Sequence, residues 1–522
     1  MLLNSVQLFL RAEKQLIHAV AAATRGLHIT SILSQTNRFM QSEPLKNDIE
    51  EILLVPNPSG EQWNRVYNYF TSERGKNVLS PYLGILQSIK QIDEKGYHIK
   101  AFKLYNHLKD NNFKFNMAEK LAYMKICFLN RNIVNERCKK DLECLYDEFM
   151  TKSPYVDSKT LLGCLEALSL TNRWEEVENV MQEHNNLNTL SGRVLSCLAL
   201  ASFKNNRFDK GWSLIKQAYE TNSYIEEYVY NDLIHICGRN KNTFRNNVET
   251  IFKLWGDYCV VPRKDIISEY IRMFRKLGLN AWYTTIFASG QCARCDTFLR
   301  KSHLNQEEHD ELAKYALDHF IIGTDVYLKS HPKELENLHK FVEASKPYDV
   351  VIDGLNIYYT FYKNASESCR RNIARVLDDL KQNAKGVVVI LRMHVKKDSQ
   401  FMQLLKGTNV FYMDNMSKDD PFLLYVVWSS EPNAKFISGD IVRDHLAALP
   451  NHRSRMLFTK WMLTHRYSLR TNCTLVKPVE YDHTAHKNET AWHIPYRTAP
   501  AARQANFLNL NVKHEWTCFR FE

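Results

Sequence analysis

The stretch Tyr348-Asp-Val-Val-Ile-Asp-Gly-Leu-Asn356 decides how the second half of this chain folds. It is an apolar, β-branched run that stops on an aspartate and is followed at once by glycine. Two runs of the same kind follow, Gly386-Val-Val-Val-Ile-Leu391 and Ala434-Lys-Phe-Ile437, with helical patterns between them, for example Arg370 to Gln382 and Asp420 to Trp428. Apolar strands alternating with helices predict a parallel sheet covered on both faces. Ligands of such sheets sit beyond the carboxyl ends of the strands.

Aspartates fall at those ends. Asp353 closes the first run, Asp419 and Asp420 open the helix that begins Pro421-Phe-Leu-Leu-Tyr425, and Asp440 follows the last run in Phe436-Ile-Ser-Gly-Asp-Ile-Val-Arg-Asp-His445. Each one alone reads as an ordinary helix cap or first-turn acid. Together they predict a crevice on which four carboxylates converge. Converging carboxylates repel, and a shared site is stable only when cations neutralise it; hard oxygen donors select Mg²⁺ or Mn²⁺. Such a site suits phosphodiester hydrolysis, in which one ion lowers the pKa of the attacking water and another stabilises the leaving oxygen. Gly354 allows close backbone approach, and Arg443 is placed to meet a phosphate oxygen.

The first half has a different period. From about residue 78 to 285 nearly every segment reads as a helix followed by a short polar break. Cys164-Leu-Glu-Ala-Leu-Ser-Leu-Thr-Asn-Arg-Trp174 lies over Cys197-Leu-Ala-Leu-Ala-Ser-Phe-Lys-Asn-Asn-Arg-Phe208, with Arg173 and Arg207 34 residues apart. A helical hairpin recurring at that period cannot bury its apolar face alone, so copies are expected to stack into a solenoid. Ala101-Phe102, Phe244 and Trp282 read as the openings of further second helices at uneven spacing. The period itself fits peptide-binding as well as RNA-binding arrays, so a protein-binding adaptor is one reading.

The composition narrows this choice. Across 522 residues, 69 Lys and Arg against 58 Asp and Glu give a net charge of +11, which favours a polyanionic partner such as RNA. The length implies several domains, and no apolar run is long enough to span a bilayer, so no membrane insertion is expected. The 12 cysteines make a disulfide framework improbable; only Cys292 and Cys295 have metal-ligand spacing, and the others read as small buried residues in a reducing compartment. Residues 1–42 hold one acid, Glu13, against Arg11, Lys14, Arg25 and Arg38, the composition of a mitochondrial presequence.

The three motifs Val351-Ile-Asp-Gly-Leu-Asn356, Asp419-Asp-Pro-Phe-Leu-Leu-Tyr425 and Gly439-Asp-Ile-Val-Arg-Asp-His445 together resemble the metallonuclease domain of the protein-only RNase P family, over most of residues 290 to 520. The resemblance implies a pentatricopeptide-like α-helical repeat solenoid followed by an α/β PIN/NYN-like metallonuclease domain, joined by a zinc-binding region. It places Asp353, Asp419, Asp420 and Asp440 as catalytic magnesium ligands, with Asp444, Arg443 and His445 in support. It also implies a structural zinc clasp in which Cys292 and Cys295 join His493 of Trp492-His-Ile-Pro495 and Cys518 of Trp516-Thr-Cys518. His483, His486 and His514 lie nearby in sequence and read as surface histidines.

The domain limits expected are 1–42 for the presequence, 78–285 for the repeats, 286–344 for the first part of the zinc region and linker, 345–480 for the nuclease and 481–522 for the segment completing the zinc site. The implied activity is removal of the 5′ leader from mitochondrial precursor tRNAs in the matrix. By resemblance to the animal mitochondrial branch, the partners are a tRNA methyltransferase subunit and a short-chain dehydrogenase subunit. The competing reading is a non-catalytic RNA-binding organelle protein.

Overall fold

The structure is a computed structural model. It describes residues 51–71, 97–183, 191–316, 331–498 and 515–521, except for short gaps of one to three residues such as 153–155, 364–366, 416–418, 440–442 and 470–472, together with 318–319. The expected presequence lies outside the described residues. The chain divides into two compact units, Met1–Glu183 and His184–Glu522. Among the described residues no helix is long and apolar enough to cross a membrane.

The first unit is helical: α1 (Gly60–Thr71), α2 (Tyr97–Asp110), α3 (Met117–Leu129), α4 (Glu136–Lys152), α5 (Ser158–Leu168) and α6 (Glu176–Glu183). Its helix starts follow from side-chain chemistry. Asn116 and Glu119 form a reciprocal capping box on α3, and the Asp157 carboxylate accepts from the Lys159 and Thr160 amides at the start of α5. Trp174 is buried after the polar turn that ends α5, as the repeat pattern requires.

The second unit opens with five helices, α7 (Ser191–Lys204), α8 (Phe208–Glu220), α9 (Glu227–Cys237), α10 (Lys241–Asp257) and α11 (Lys264–Lys276). The turn between α7 and α8 places Asn206 at φ 58°, a left-handed conformation that asparagine tolerates. Ala101 and Phe102 lie inside α2, and Phe244 falls in the first turn of α10. Trp282 departs from expectation, because it lies in a strand, β1 (Asn280–Thr284).

Next come α12 (Gln306–Ala316), α13 (Pro332–Ser345), β2 (Val350–Asp353), α14 (Gly354–Lys363), α15 (Glu367–Asn383), β3 (Val387–Arg392), a 3₁₀ turn (Met393–Lys397), α16 (Ser399–Leu404), β4 (Asn409–Met413), α17 (Asp419–Trp428), β5 (Lys435–Ile437), α18 (Arg443–Ala448), α19 (His452–His465), β6 (Arg466–Leu469) and β7 (Leu475–Val476). Their sheet runs β4-β3-β2-β5-β6-β7. Every pair from β4 to β6 is parallel, and β7 is antiparallel to β6.

The continuous apolar runs are explained by the two cores this sheet separates. Val351, Val388, Ile390, Phe411 and Phe436 pack into one, with α17 and α19; Val350, Ile352, Val387, Val389, Leu391 and Ile437 pack into the other, with α14 and α15. Alternate residues of a strand face opposite sides, so a strand buried on both must be apolar throughout. Cys369 of α15 and Cys473 form a disulfide in the second core, where sequence reading expects two free buried thiols. The remaining strands, β8 (His486–Lys487), β9 (Trp492–Tyr496) and β10 (Glu515–Arg520), join β1 in a separate sheet of order β1-β10-β9-β8.

His465, the last residue of α19, is buried. Its Nε2 lies 2.9 Å from the Pro432 carbonyl, and its Nδ1 lies 3.0 Å from the Trp461 carbonyl and 2.8 Å from the Thr464 hydroxyl. Burial first, and then the charge of Lys435, push its pKa from 6.5 down to about 4. The unfolded state therefore binds the proton more readily between those values, so the stability this group contributes is present above pH 6.5 and is lost as pH falls toward 4. Denaturant titrations at stepped pH should show stability dropping over that window by about 3 kcal/mol from this residue, and His465→Gln should flatten the slope.

Candidate metal centres of the second unit

Asp353 is the last residue of β2 and is 8% exposed. A carboxylate there is tolerated because the fold supplies donors: the Asn356 amide gives its proton to Oδ1 at 3.0 Å and the Ser438 hydroxyl gives its proton to Oδ2 at 2.9 Å. Asn356 belongs to the first turn of α14, and Ser438 directly follows β5. The carboxylate thus joins the ends of two neighbouring parallel strands.

Two glycines make this approach possible. A Cβ at Gly354 would lie 2.6 Å from the Ile390 carbonyl oxygen of β3, and one at Gly439 would lie 2.5 Å from Asn356 Oδ1. Both contacts are closer than any Cβ tolerates, so helix α14 leaves the strand only because position 354 has no side chain.

Asp419 and Asp420 are the first residues of α17, as expected, and Asp420 is half-buried. This helix is apolar on nearly every side because it packs between α12 and strands β2 and β3. The Tyr348 hydroxyl donates to the Val426 carbonyl at 2.7 Å, fixing α17 against the residue pair that leads into β2. Asp440 lies outside the described residues. Arg443, Asp444 and His445 form the first turn of α18, which follows β5. The structure therefore puts Asp353 and the start of α17 in the same α/β core, and it leaves the full four-acid constellation as a proposal. Ser438 and Asn356 are polar partners that sequence reading did not assign, although both sit inside quoted motifs, one residue from Gly439 and two from Gly354 respectively.

The second centre is complete. One ligand atom each from Cys292, Cys295, His493 and Cys518 lies within 4.8 Å of all the others. The sheet builds it in register: His493 is paired with Cys518 on one side and with His486 on the other, and Cys518 is paired with Trp282. Cys292 and Cys295 enter from the loop after β1, with Cys295 Sγ 3.2 Å from His493 Nε2 and Cys292 Sγ 3.2 Å from the Thr284 hydroxyl. The Cys518 thiol, ahead of His493 and Thr284, holds the Cys292 sulfur well below the ordinary thiol range. The same contact, with burial and Cys295, pushes Cys518 up. A thiolate is the form that ligates metal. A tetrahedral ion bound at about 2.3 Å has ligand edges of roughly 3.7 Å, so this donor set fits such an ion with small adjustments.

His486 is 3% exposed, so the expectation of a surface histidine is wrong there. Its Nε2 accepts from the Arg300 amide at 3.3 Å while its Nδ1 donates to the Thr484 carbonyl at 2.8 Å, which employs both nitrogens in the backbone. Its pKa is lowered to about 4, chiefly by burial. His483 is half-buried and has its pKa lowered to about 4 for the same reason, and His514 is outside the described residues.

The second unit thus joins helices to an α/β domain with an acid at the end of a central strand, and it carries a Cys₃His cluster. Residues 286–518 match the family model of protein-only RNase P. It is 26% identical over 391 residues to the mitochondrial ribonuclease P catalytic subunit of Rattus norvegicus, a match covering 72% of this chain and 65% of that one. It is 33% identical over 249 residues to the subunit of the same name from Mus musculus, covering 46% of this chain and 41% of the relative. The chain thus spans less than two thirds of these relatives' length. Nuclear proteinaceous RNase P 2 of Arabidopsis thaliana shares the fold, with a TM-score of 0.51 at 14% identity over 85% of this chain and all of that one.

Purified chain should carry one tightly held metal ion. Stripping it with a chelator should lower the Tm by several degrees, and Cys295→Ser should do the same without chelator. Elemental analysis and a thermal melt decide both, and an unchanged melt on stripping would reduce the cluster to a set of buried thiols.

Proposed function

We propose that this chain is a metal-dependent endoribonuclease that hydrolyses one phosphodiester of mitochondrial precursor tRNAs, releasing the 5′ leader and leaving a 5′ phosphate on the tRNA. The observation that carries this reading is the buried Asp353, held by Ser438 and Asn356 at the end of the central parallel strand, within the region that matches the family. The mitochondrial setting is carried over from the rat and mouse relatives. Their description as a catalytic subunit suits a chain that works in a complex, for which we infer a tRNA methyltransferase and a short-chain dehydrogenase as the other subunits.

In this reading Asp353, Asp419, Asp420 and Asp440 hold Mg²⁺ or Mn²⁺, a hard-cation set made of oxygen donors alone. Bound there, such ions supply an activated water and stabilise the departing 3′ oxygen. The chain's own residues do the positioning. Ser438 and Asn356 fix the rotation of the Asp353 carboxylate, and Arg443, Asp444 and His445, in the first turn of α18, support the Asp440 segment and the phosphate. The Cys₃His cluster holds Zn²⁺ as a structural ion, since soft thiolates with one imidazole select it. Zinc there ties the loop after β1 to the C-terminal strands.

The test is release of a 5′-labelled leader from a mitochondrial precursor tRNA with Mg²⁺, by the chain alone and with mitochondrial extract depleted of the endogenous protein. Asp353→Asn and Asp440→Asn should each reduce cleavage to background. Ser438→Ala should lower the Tm by a few degrees, leaving the chain folded at assay temperature, and should cut the single-turnover rate about 10- to 100-fold, the usual consequence of losing a partner of a metal ligand. Tight RNA binding with no leader release in either setting would instead favour the non-catalytic reading.

A further inference from the structure

Large hydrophobic side chains are exposed at few places among the described residues, and three of them gather beside the carboxyl end of the parallel sheet. Tyr359 is 55% exposed, Tyr362 36% and Met393 45%. Tyr359 lies one helical turn beyond Asn356, whose amide holds Asp353, and Tyr362 lies three residues further along α14, so the tyrosines form an i, i+3 row leading away from the acid. Tyr358 braces the row from beneath, with its ring 5.5 Å from that of Tyr359, 4.9 Å from that of Tyr362 and 5.1 Å from that of Phe401.

The opposite border of this patch is the 3₁₀ turn Met393–Lys397, which leaves the sheet directly from β3 beside β2. Asp398, which caps α16 by accepting from the Phe401 amide, also accepts from the Tyr362 hydroxyl and so fastens α14 to the end of the turn. The turn is basic. His394, Lys396 and Lys397 are exposed, and among the described residues neither lysine has a carboxylate partner; the Lys396 ammonium lies 5.1 Å from the Tyr412 ring centroid. Arg370 adds a guanidinium 6.0 Å from the Tyr362 ring centroid.

Exposed aromatic faces flanked by unpaired cations suit unstacked nucleotides, whose bases stack on the rings while the phosphates meet the charges. A duplex offers no free base faces, so the fitting ligand is single-stranded. We propose that Tyr359 and Tyr362, with Lys396 and Lys397, form a stacking platform that holds the unpaired 5′ leader next to the cleavage site. This proposal rests on the leader-removing reading for the identity of the strand. Because stacking is tolerant of sequence, the platform would accept leaders of any base composition.

The test measures binding with Ca²⁺ in place of Mg²⁺, by fluorescence anisotropy, so that it does not depend on cleavage. Full-length chain is titrated with two tRNA precursors that differ only in carrying a one-nucleotide or an about eight-nucleotide leader, a length within the usual single-strand site size. Wild type should bind the long-leader RNA more tightly. Tyr359→Ala should weaken that RNA about 5- to 10-fold and the short-leader RNA by less than about twofold. Tyr359→Phe should retain the preference, Tyr359→Leu should lose it, and Lys396→Ala with Lys397→Ala should flatten the salt dependence for the long leader alone. Equal losses on both RNAs, or no loss on either, would overturn the platform. Leader-dependent binding by a wild-type chain that fails to cleave in Mg²⁺ both alone and with the depleted extract would keep the platform and sink the nuclease reading instead.

Discussion

The geometry of the candidate active site depends on one constraint, which is that a carboxylate must sit buried at the end of an apolar strand. An unpaired polar group there costs several kcal/mol, and a charged one more. Asp353 meets the constraint by accepting from Ser438 and from the Asn356 amide. Those two donors determine much of the rest. The first requires the end of β5 to lie beside that of β2, and the second requires a helix to begin at once after the acid. Gly354 and Gly439 follow, since a Cβ at either position would strike the β3 backbone or Asn356.

A second constraint acts at the four-stranded sheet, where β9 and β10 each serve both faces. His493 and Cys518 point to the metal-ligand cluster, while their neighbours Trp492 and Phe519 meet Phe252 of α10, and Phe519 also meets Phe274 of α11. The alternation of a strand therefore couples a polar cluster to an aromatic core through single residue steps. Helix α10 is drawn in so closely that a Cβ at Gly256 would lie 2.2 Å from the Ala485 carbonyl oxygen. Arg497, buried at the end of β9, donates to Glu227 of α9 at 2.7 Å and to the Val261 carbonyl at 3.2 Å. Helices α9 to α11, near the start of the second unit, and its C-terminal strands are in this way one packed body.

What the sequence made legible follows from these constraints. The three runs that become β2, β3 and β5 are buried on both faces and so cannot be mistaken for amphipathic strands. β4 and β6 are less apparent, because Asn409-Val-Phe-Tyr-Met413 is an edge strand with polar character and Arg466-Tyr-Ser-Leu469 follows α19 with no turn residue between them. Trp282 reads as a helix opener by its spacing, and its strand character comes from pairing with β10, more than 200 residues away, which no local pattern carries. His486 is hidden for a similar reason: the backbone amide that makes it structural belongs to Arg300. Cys369 and Cys473 likewise meet only through the fold. The candidate ligand pair Cys292 and Cys295 is the reverse case, because a Cys-x-x-Cys pair is local and its chemistry is specific.

In the proposed reaction, acids gathered where the phosphodiester docks oppose the approach of a polyanion, and at physiological ionic strength that opposition is felt over about 8 Å. The net charge of +11 helps only if positive groups stand within that distance of the path the strand takes. Around β2 they stand on the 3₁₀ turn after β3 and on α15, and the surface between them is mainly aromatic, with the Asp398 carboxylate there engaged by the Tyr362 hydroxyl and the Phe401 amide. Stacking is indifferent to the phosphate charge, so it can hold a strand beside the carboxylates without adding to their burden. A site that needs buried acids for its chemistry is thus best served by neighbours that grip the nucleic acid through its bases, and the residues directly following Asp353 in α14 are of that kind.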